Sequence, residues 1–448
     1  FVWAGPTRRP FRRGFPAPQP PPRTETPPIP APDGERRFDS AMPPETSLSV
    51  SDVSLERPDL SEVPWETRLA LAERPCPLVV NPQQRALIEP AMKNLDKYME
   101  EIREYWKKID ELNATLPEKD QFFTVSIQPR CPEPASFFTY YRLYALDDTN
   151  PTPLTSKRFT APRKDYPVLT MLQIFSFRYV GDFLGDQSML VYGFIAIRDE
   201  LDCLRNYIFN CPREQAHEIT PDSRALPLIS PVRGNSILDG VVLEYSLKVK
   251  SNGSDNAEMD YVLADGCIEY TDHMILRGTT LKSRLFGKLG PVDFHYAFLR
   301  QGIEATIDIE IPMASPAWGL KAVTAFTSGL SDAIVLYDGS TNSSPTQSVF
   351  PISSVVTVQL GHELKLKFDI TSMDTVRKGC VRRFVPGNAA SAQYQRPDVV
   401  MDEEPEPKTY SCFLTFISQK CSFASSKVSI CDEFKAEVTV TWSTMGPY

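Results

Sequence analysis

From residue 168 onward, apolar and polar side chains alternate with a period of two. In LEYSLKVK (243–250), Leu243, Tyr245, Leu247 and Val249 alternate with Glu244, Ser246, Lys248 and Lys250. IEATIDIEI (303–311) sets Ile303, Ala305, Ile307, Ile309 and Ile311 against Glu304, Thr306, Asp308 and Glu310. ELKLKFDI (363–370) and AEVTVTW (436–442) repeat the pattern. Strict alternation gives a strand one buried and one wet face, the signature of antiparallel sheets. About a dozen such runs are separated by Gly, Asn, Asp and Pro turn signals. No long helical pattern follows residue 170, so parallel βαβ units are excluded. The expected class is mainly β: an antiparallel, β-sandwich-like domain over 168–446, one large or two small.

Upstream the period changes. In EPAMKNLDKYMEEIREYWKKIDEL (89–112), Met92, Leu95, Met99, Ile102, Trp106 and Ile109 recur at spacings of three and four. That stripe predicts an amphipathic helix. Pro90 is tolerated only in a first turn, so the helix is expected to start there and to stop at Pro117. Glu104 and Lys108 are spaced for an i,i+4 ion pair. Fewer than three heptads make an isolated coiled coil marginal. The apolar side therefore packs on its own domain or meets a partner, and these six residues are the candidate partner-facing set.

Proline reshapes the N-terminal end. Eighteen of the chain's 41 prolines fall in the first 82 positions, which marks 1–82 as a disordered arm. Within PAPQPPPR (16–23), Pro18, Pro21 and Arg23 fit a P-x-x-P-x-R pattern that aromatic grooves read, adding a second candidate partner-binding element. The expected order is arm 1–82, helix 83–116, connector 117–167 and β domain 168–446. A net charge of −9 and a pI near 5.2 disfavour nucleic acid. No apolar run reaches the roughly 20 residues of a membrane span. Nine cysteines, odd in number and without C-x-x-C, suit a reduced, intracellular chain, cytoplasmic or nuclear. RRPFRR (8–13) is read as a solvated tail, with an organelle-targeting remnant as the alternative.

Arg198, Asp199, Glu200, Asp202 and Arg205 crowd VYGFIAIRDELDCLRNYIFN (191–210) between two apolar runs. They read as a solvated hairpin turn with surface ion pairs worth under about 1 kcal/mol each; D-E-L-D lacks calcium-loop spacing. His217, His273, His295 and His362 are far apart, and Cys203, Cys211, Cys412, Cys421 and Cys431 are too widely spaced for a zinc knuckle. Nucleophile elbows and phosphate-cradling glycine loops are absent; RLFGKLG (284–290) is a basic turn. Phe122, Phe123, Phe137, Phe138, Tyr140 and Tyr141 lack the interleaved basic residues of a base-stacking platform and read as a packed connector. No catalytic residue, metal or cofactor is expected.

LQIFSFRYV (172–180), VYGFIAIRDELDCLRNYIFN, LEYSLKVK and the closing VTVTWS (438–443), in this order, resemble a plant family abundant in grasses. It is catalogued as domain of unknown function 6598, and the resemblance spans about 170–446. The family pattern has a VYG-x-V-A-x-R-D strand, an R-N-x-x-F-N strand and an F-E-V-x-L-K-V-K-G strand. Here Cys211 and Pro212 replace charged residues, and Leu-Glu-Tyr replaces Phe-Glu-Val. The resemblance implies a β-rich domain without assigned activity. Fusion of some members to ribosome-inactivating N-glycosylases implies a stress or defence setting. The S-E-A-A-R-[FY] helix of those toxins is absent; its nearest echo, IEAT (303–306), lies in an alternating strand, where Glu304 is expected to face water.

The expected function is a non-catalytic β-rich interaction module, with protein partners or self-association through helix 90–112. The alternatives are an enzyme related to rRNA N-glycosylases, and a carbohydrate- or lipid-binding sandwich exposing Tyr245, Tyr270 and Tyr296 on one face.

Overall fold

The computed structural model describes residues 82–132, 135, 138–153, 167–183, 188–251, 257–271, 279–312, 318–339, 349–372, 390–394, 408–420, 422–430 and 434–444. All belong to one compact unit, Val79–Tyr448. The arm up to residue 81, with Pro18, Pro21 and Arg23, lies outside the described residues.

Helix α1 (Pro82–Asn113) opens the unit, followed by β1 (Ile127–Gln128) and the short α2 (Thr139–Leu143). Then come β2 (Thr170–Tyr179), β3 (Met189–Asp199), β4 (Asn206–Cys211), β5 (His217–Ile219), β6 (Asn235–Ile237), β7 (Gly240–Val249), β8 (Tyr261–Thr271), β9 (Leu281–Gly287) and β10 (Gly290–Leu299). The rest are β11 (Gly302–Pro312), β12 (Trp318–Thr327), β13 (Ile334–Asp338), β14 (Val349–Gln359), β15 (Glu363–Ser372), β16 (Ala390–Tyr394), β17 (Lys408–Ile417), β18 (Ser422–Ile430) and β19 (Phe434–Ser443).

The strands form four sheets: β1-β8-β7-β3-β4 with β5 also on β3, β6-β2-β10-β9, β14-β11-β19-β18, and β13-β12-β15-β17-β16. Every pairing between these strands is antiparallel. The first two sheets enclose one core, drawn from Leu172, Phe177, Ile195, Leu243, Leu247, Phe294 and Phe298 among others. The last two enclose another, with Ile303, Ile307, Leu366, Phe368, Val438 and Trp442. The β region is thus two sandwiches in series, one of the two arrangements open from sequence. The two touch through Phe175, Ala297 and Leu299 against Leu330 and Ile334. The Gln173 side-chain oxygen also accepts the Thr357 amide at 2.8 Å.

Alternation predicted the inward faces: Leu243, Tyr245, Leu247 and Val249 are buried, as are Ile303 to Ile311 at every second position. It misassigned three outward ones, Glu244, Glu304 and Thr306. Glu244 and Glu304 are both fully buried, because each sheet's outer face is covered there, by α2 and its loop in one case and by the neighbouring sandwich in the other.

Helix α1 begins eight residues before the predicted start. Pro82 fits the first turn, while Pro90 lies in the third and deprives the Ala86 carbonyl of its usual donor. The expected Glu104–Lys108 pair is not formed: Lys108 turns over the Phe286 ring at 5.8 Å, and the i,i+4 pairs are Lys97–Glu101 and Lys107–Glu111, each at 3.9 Å and exposed.

Candidate binding site

The charged run of the β3–β4 hairpin is not a solvated turn. Arg198 is fully buried. Its Nε donates to Glu244 Oε2 at 2.9 Å, and its Nη atoms donate to the carbonyls of Ala145 (3.1 Å), Cys203 (2.6 Å) and Asp148 (2.5 Å). Arg205 reaches the same carboxylate, Nε to Oε2 at 3.0 Å and Nη2 to Oε1 at 2.6 Å. Asp199 takes a two-pronged pair from Arg233 at 2.6 and 2.8 Å, and its oxygens also accept the Leu201, Asp202 and Ser236 amides. Gly234, next to Arg233, donates its amide to Glu304 Oε2 at 2.7 Å, so the network crosses into the second sandwich. Sequence reasoning missed this because Glu244, Arg233 and Glu304 are remote from the hairpin in the chain; the buried pairing is tertiary. These carboxylates are committed to guanidinium and amide donors, which makes the cluster a fastening and leaves no group poised for acid–base work.

The network decodes the family-like motifs. In VYGFIAIRD, Val191, Ile195 and Ile197 fill the core while Arg198 and Asp199 enter the ionic cluster. Gly193 has φ +117°, and a Cβ there would meet the Ser246 carbonyl oxygen at 2.0 Å. In RNYIFN, Arg205 holds Glu244, and Asn206 Nδ2 donates to the Arg233 carbonyl at 2.8 Å.

Through Arg130 the network reaches the surface. Arg130 Nη1 lies 3.9 Å from Glu244 Oε1, and its Nε donates to Asp265 Oδ1 at 3.2 Å. Beside it a cleft of about 500 Å³ opens between α1 and the β1 edge. Its helical wall presents Tyr98, Ile102 and Tyr105; Ile127, Pro129 and Phe286 face them, and Glu101, Glu104, Lys108, Arg130 and Asp265 surround the opening. The Tyr105 and Phe286 rings meet edge-on at 5.8 Å. This volume is within the range of small-ligand sites.

The structure splits the predicted helical stripe. Ile109 is fully buried in the first core, so it is a packing residue and not a partner-facing one. Leu95 packs with Tyr98 against Phe138, Tyr140 and Tyr144. Ile102 lines the cleft, whereas Met99 and Trp106 remain exposed. The Trp106 indole donates to the Val125 carbonyl at 3.0 Å, and the side chain of Met92 lies outside the described residues. In the connector, Phe122, Phe138 and Tyr140 are buried as expected of a packed segment. Tyr245, Tyr270 and Tyr296 are buried too, which corrects the expectation of an exposed aromatic face: Phe294 stacks on Tyr296 at 5.2 Å, and Tyr270 meets Phe298 edge-on at 5.3 Å. Glu304 likewise faces the sandwich junction and not water. Among the described residues, no three His, Cys, Asp or Glu side chains converge to hold a metal. No helix there is long and apolar enough to cross a membrane.

The model of the family "Domain of unknown function (DUF6598)" matches residues 171–398, half of the chain. The chain belongs to the DUF6598 family. No curated protein matches it. Solved structures of human GIVD cytosolic phospholipase A2 align at 10% identity and a TM-score of 0.18, over 62% of this chain and 33% of that one. The same enzyme in complex with methyl gamma-linolenyl fluorophosphonate gives 10% and 0.18, over 61% and 32%. The chain spans about a third of the length of these structures, and a likeness of this size carries no argument about fold or activity.

Proposed function

We propose that this DUF6598 member is a non-catalytic binding module that recognises a protein partner through the cleft between α1 and β1. One observation carries the reading: the cleft is where the apolar side of α1 is left unfilled at Ile102, between Tyr98, which packs edge-on against Phe138, and Tyr105, which is buried in the first core. The same helix is held firmly on either side, by Leu95 against the α2 cluster and by Tyr105 and Ile109 in the first core. A rigid wall with an open apolar strip suits recognition, because little side-chain freedom remains to be lost on binding. The buried ionic network supports this by anchoring Arg130 beside the opening.

The test is site-specific photocross-linking on the full chain in lysate from its native source. A photoreactive phenylalanine replaces Phe286 at the cleft or, as control, Phe423, which is 77% exposed on β18. The expected result is a discrete protein adduct at position 286 and none of that size at 423. No adduct at 286, or the same adducts at both positions, sinks the reading.

A further inference from the structure

We infer that β18 pairs with the β18 of a second copy of this chain, so that two β14-β11-β19-β18 sheets join edge to edge. This surface is separate from the cleft between α1 and β1. An open sheet edge is a template for another strand, and proteins blunt such edges with short strands, bulges, prolines, charges or a covering segment. The other edge strands are blunted in these ways. β1 has two residues, β5 and β6 three each, and β13 and β16 five each. On β4 the Ile208 carbonyl accepts the Ile229 amide at 2.8 Å, and on β9 the Lys282 carbonyl accepts the Phe123 amide at 2.7 Å. On β14 the amides of Val355, Thr357 and Gln359 donate to the side chains of Ser230, Gln173 and Ser328, each at 2.8 Å.

None of these devices protects β18. Its nine residues, SFASSKVSI, hold no proline, and their register with β19 runs unshifted from Ser422 to Ile430. Among the described residues no backbone group bonds its outer side. Its one charged residue, Lys427, reaches back to Glu437 at 3.2 Å and so stands over its own sheet. Phe423 is the most exposed large apolar side chain among the described residues.

The pattern of the strand identifies the occupant. Antiparallel pairing about a two-fold axis at Ser426 engages all nine residues of both strands and keeps like faces together. Two such strands exchange about nine hydrogen bonds, close to the number in a typical interface. In this register Ser426 stands opposite its own copy. Its side chain is buried and its hydroxyl has no hydrogen-bond partner; a directly opposed serine offers one. Ser425 stands opposite the second copy's Lys427, which keeps the two lysines from facing each other. Phe423 lies one diagonal step from that same lysine, within reach for a cation–π contact. Moving the axis to Lys427 would set the two lysines directly together, at a cost. Because the two edges satisfy each other, the pairing closes as a dimer and does not propagate.

The experiment is sedimentation equilibrium on the full chain between about 1 and 100 µM. The variants are Ser425→Lys, Ser425→Glu and, as control, Lys365→Glu on β15; both positions are exposed, and thermal melts confirm folding. Wild type should dimerise in the micromolar range. Ser425→Lys opposes like charges twice across the axis and should weaken the dimer roughly tenfold. Ser425→Glu opposes unlike charges twice and should tighten it roughly threefold, and both shifts should shrink at high salt. Net charge alone predicts the reverse order, because the chain carries −9 and glutamate takes it farther from neutrality. Lys365→Glu should leave the equilibrium unchanged. A photoreactive phenylalanine at position 423 of the purified protein should link two copies of the chain. A chain that stays monomeric at every concentration overturns the inference, as do Ser425 variants that shift the dimer in the same direction or not at all. Either result leaves the cleft reading standing, since that rests on the adduct at position 286.

Discussion

Replacing Glu244 by glutamine changes one charge and almost no volume, at a carboxylate wholly removed from water. Arg198 Nε and Arg205 Nε both donate to Oε2, and Arg205 Nη2 donates to Oε1. Glutamine offers one carbonyl oxygen, so its amide nitrogen must face a guanidinium donor whichever way it is turned. Two buried guanidinium groups then lose their shared counter-charge. Breaking a buried ion pair by removing one partner costs about 3–5 kcal/mol. With an m-value of about 3 kcal/mol/M in urea, the midpoint should fall by roughly 1–2 M. The assay is urea unfolding followed by circular dichroism, read on the first transition, since two sandwiches need not unfold together. Glu101→Gln, on the exposed helix surface, is the control and should stay within about 0.5 kcal/mol of wild type. A matching shift of only about 0.5 kcal/mol for Glu244→Gln would refute the claim that this carboxylate holds two desolvated cations. Mutating Arg198 as well should not rescue stability, because its guanidinium also caps the Ala145, Asp148 and Cys203 carbonyls.

Three further outcomes are expected. Gly193→Ala forces a left-handed φ and a contact with the Ser246 carbonyl, so it should cost at least about 2 kcal/mol in the same urea assay. The Arg213 guanidinium hydrogen-bonded to Asp260 holds that carboxyl well below the usual range. A depressed carboxylate stabilises above its unfolded pKa and loses that contribution as pH falls, so below about pH 4 wild type should lose stability more steeply than Asp260→Asn; equal acid-side slopes in pH-dependent melts would contradict this. Among the cysteines of the described residues, alkylation by iodoacetamide, mapped by mass spectrometry, should label the exposed Cys131 first. It should spare Cys267 and Cys412, whose thiols burial pushes up, that of Cys412 to about 12.

The period-two pattern determined strand identity and inward faces, because each apolar residue of LEYSLKVK or IEATIDIEI reports its own side of a pleat. The spacing of three and four likewise determined that α1 is an amphipathic helix. Which parts of that helix would be covered was not encoded locally: Ile109 meets the first core, Leu95 meets the α2 cluster, and Ile102 meets an open cleft. Polar residues were the least legible. Alternation assigns Glu244 and Glu304 to water because it knows one sheet at a time, whereas the second covering layer comes from α2 and from the other sandwich. A buried charge is tolerated only where partners converge in space, and the partners here, Arg198 and Arg205 for Glu244 and Gly234 for Glu304, are separated from them by 46, 39 and 70 residues. Hydrophobic period belongs to a local stretch of chain and can be read there, but the pairing of buried charge belongs to the packed layers and exists only once they are assembled.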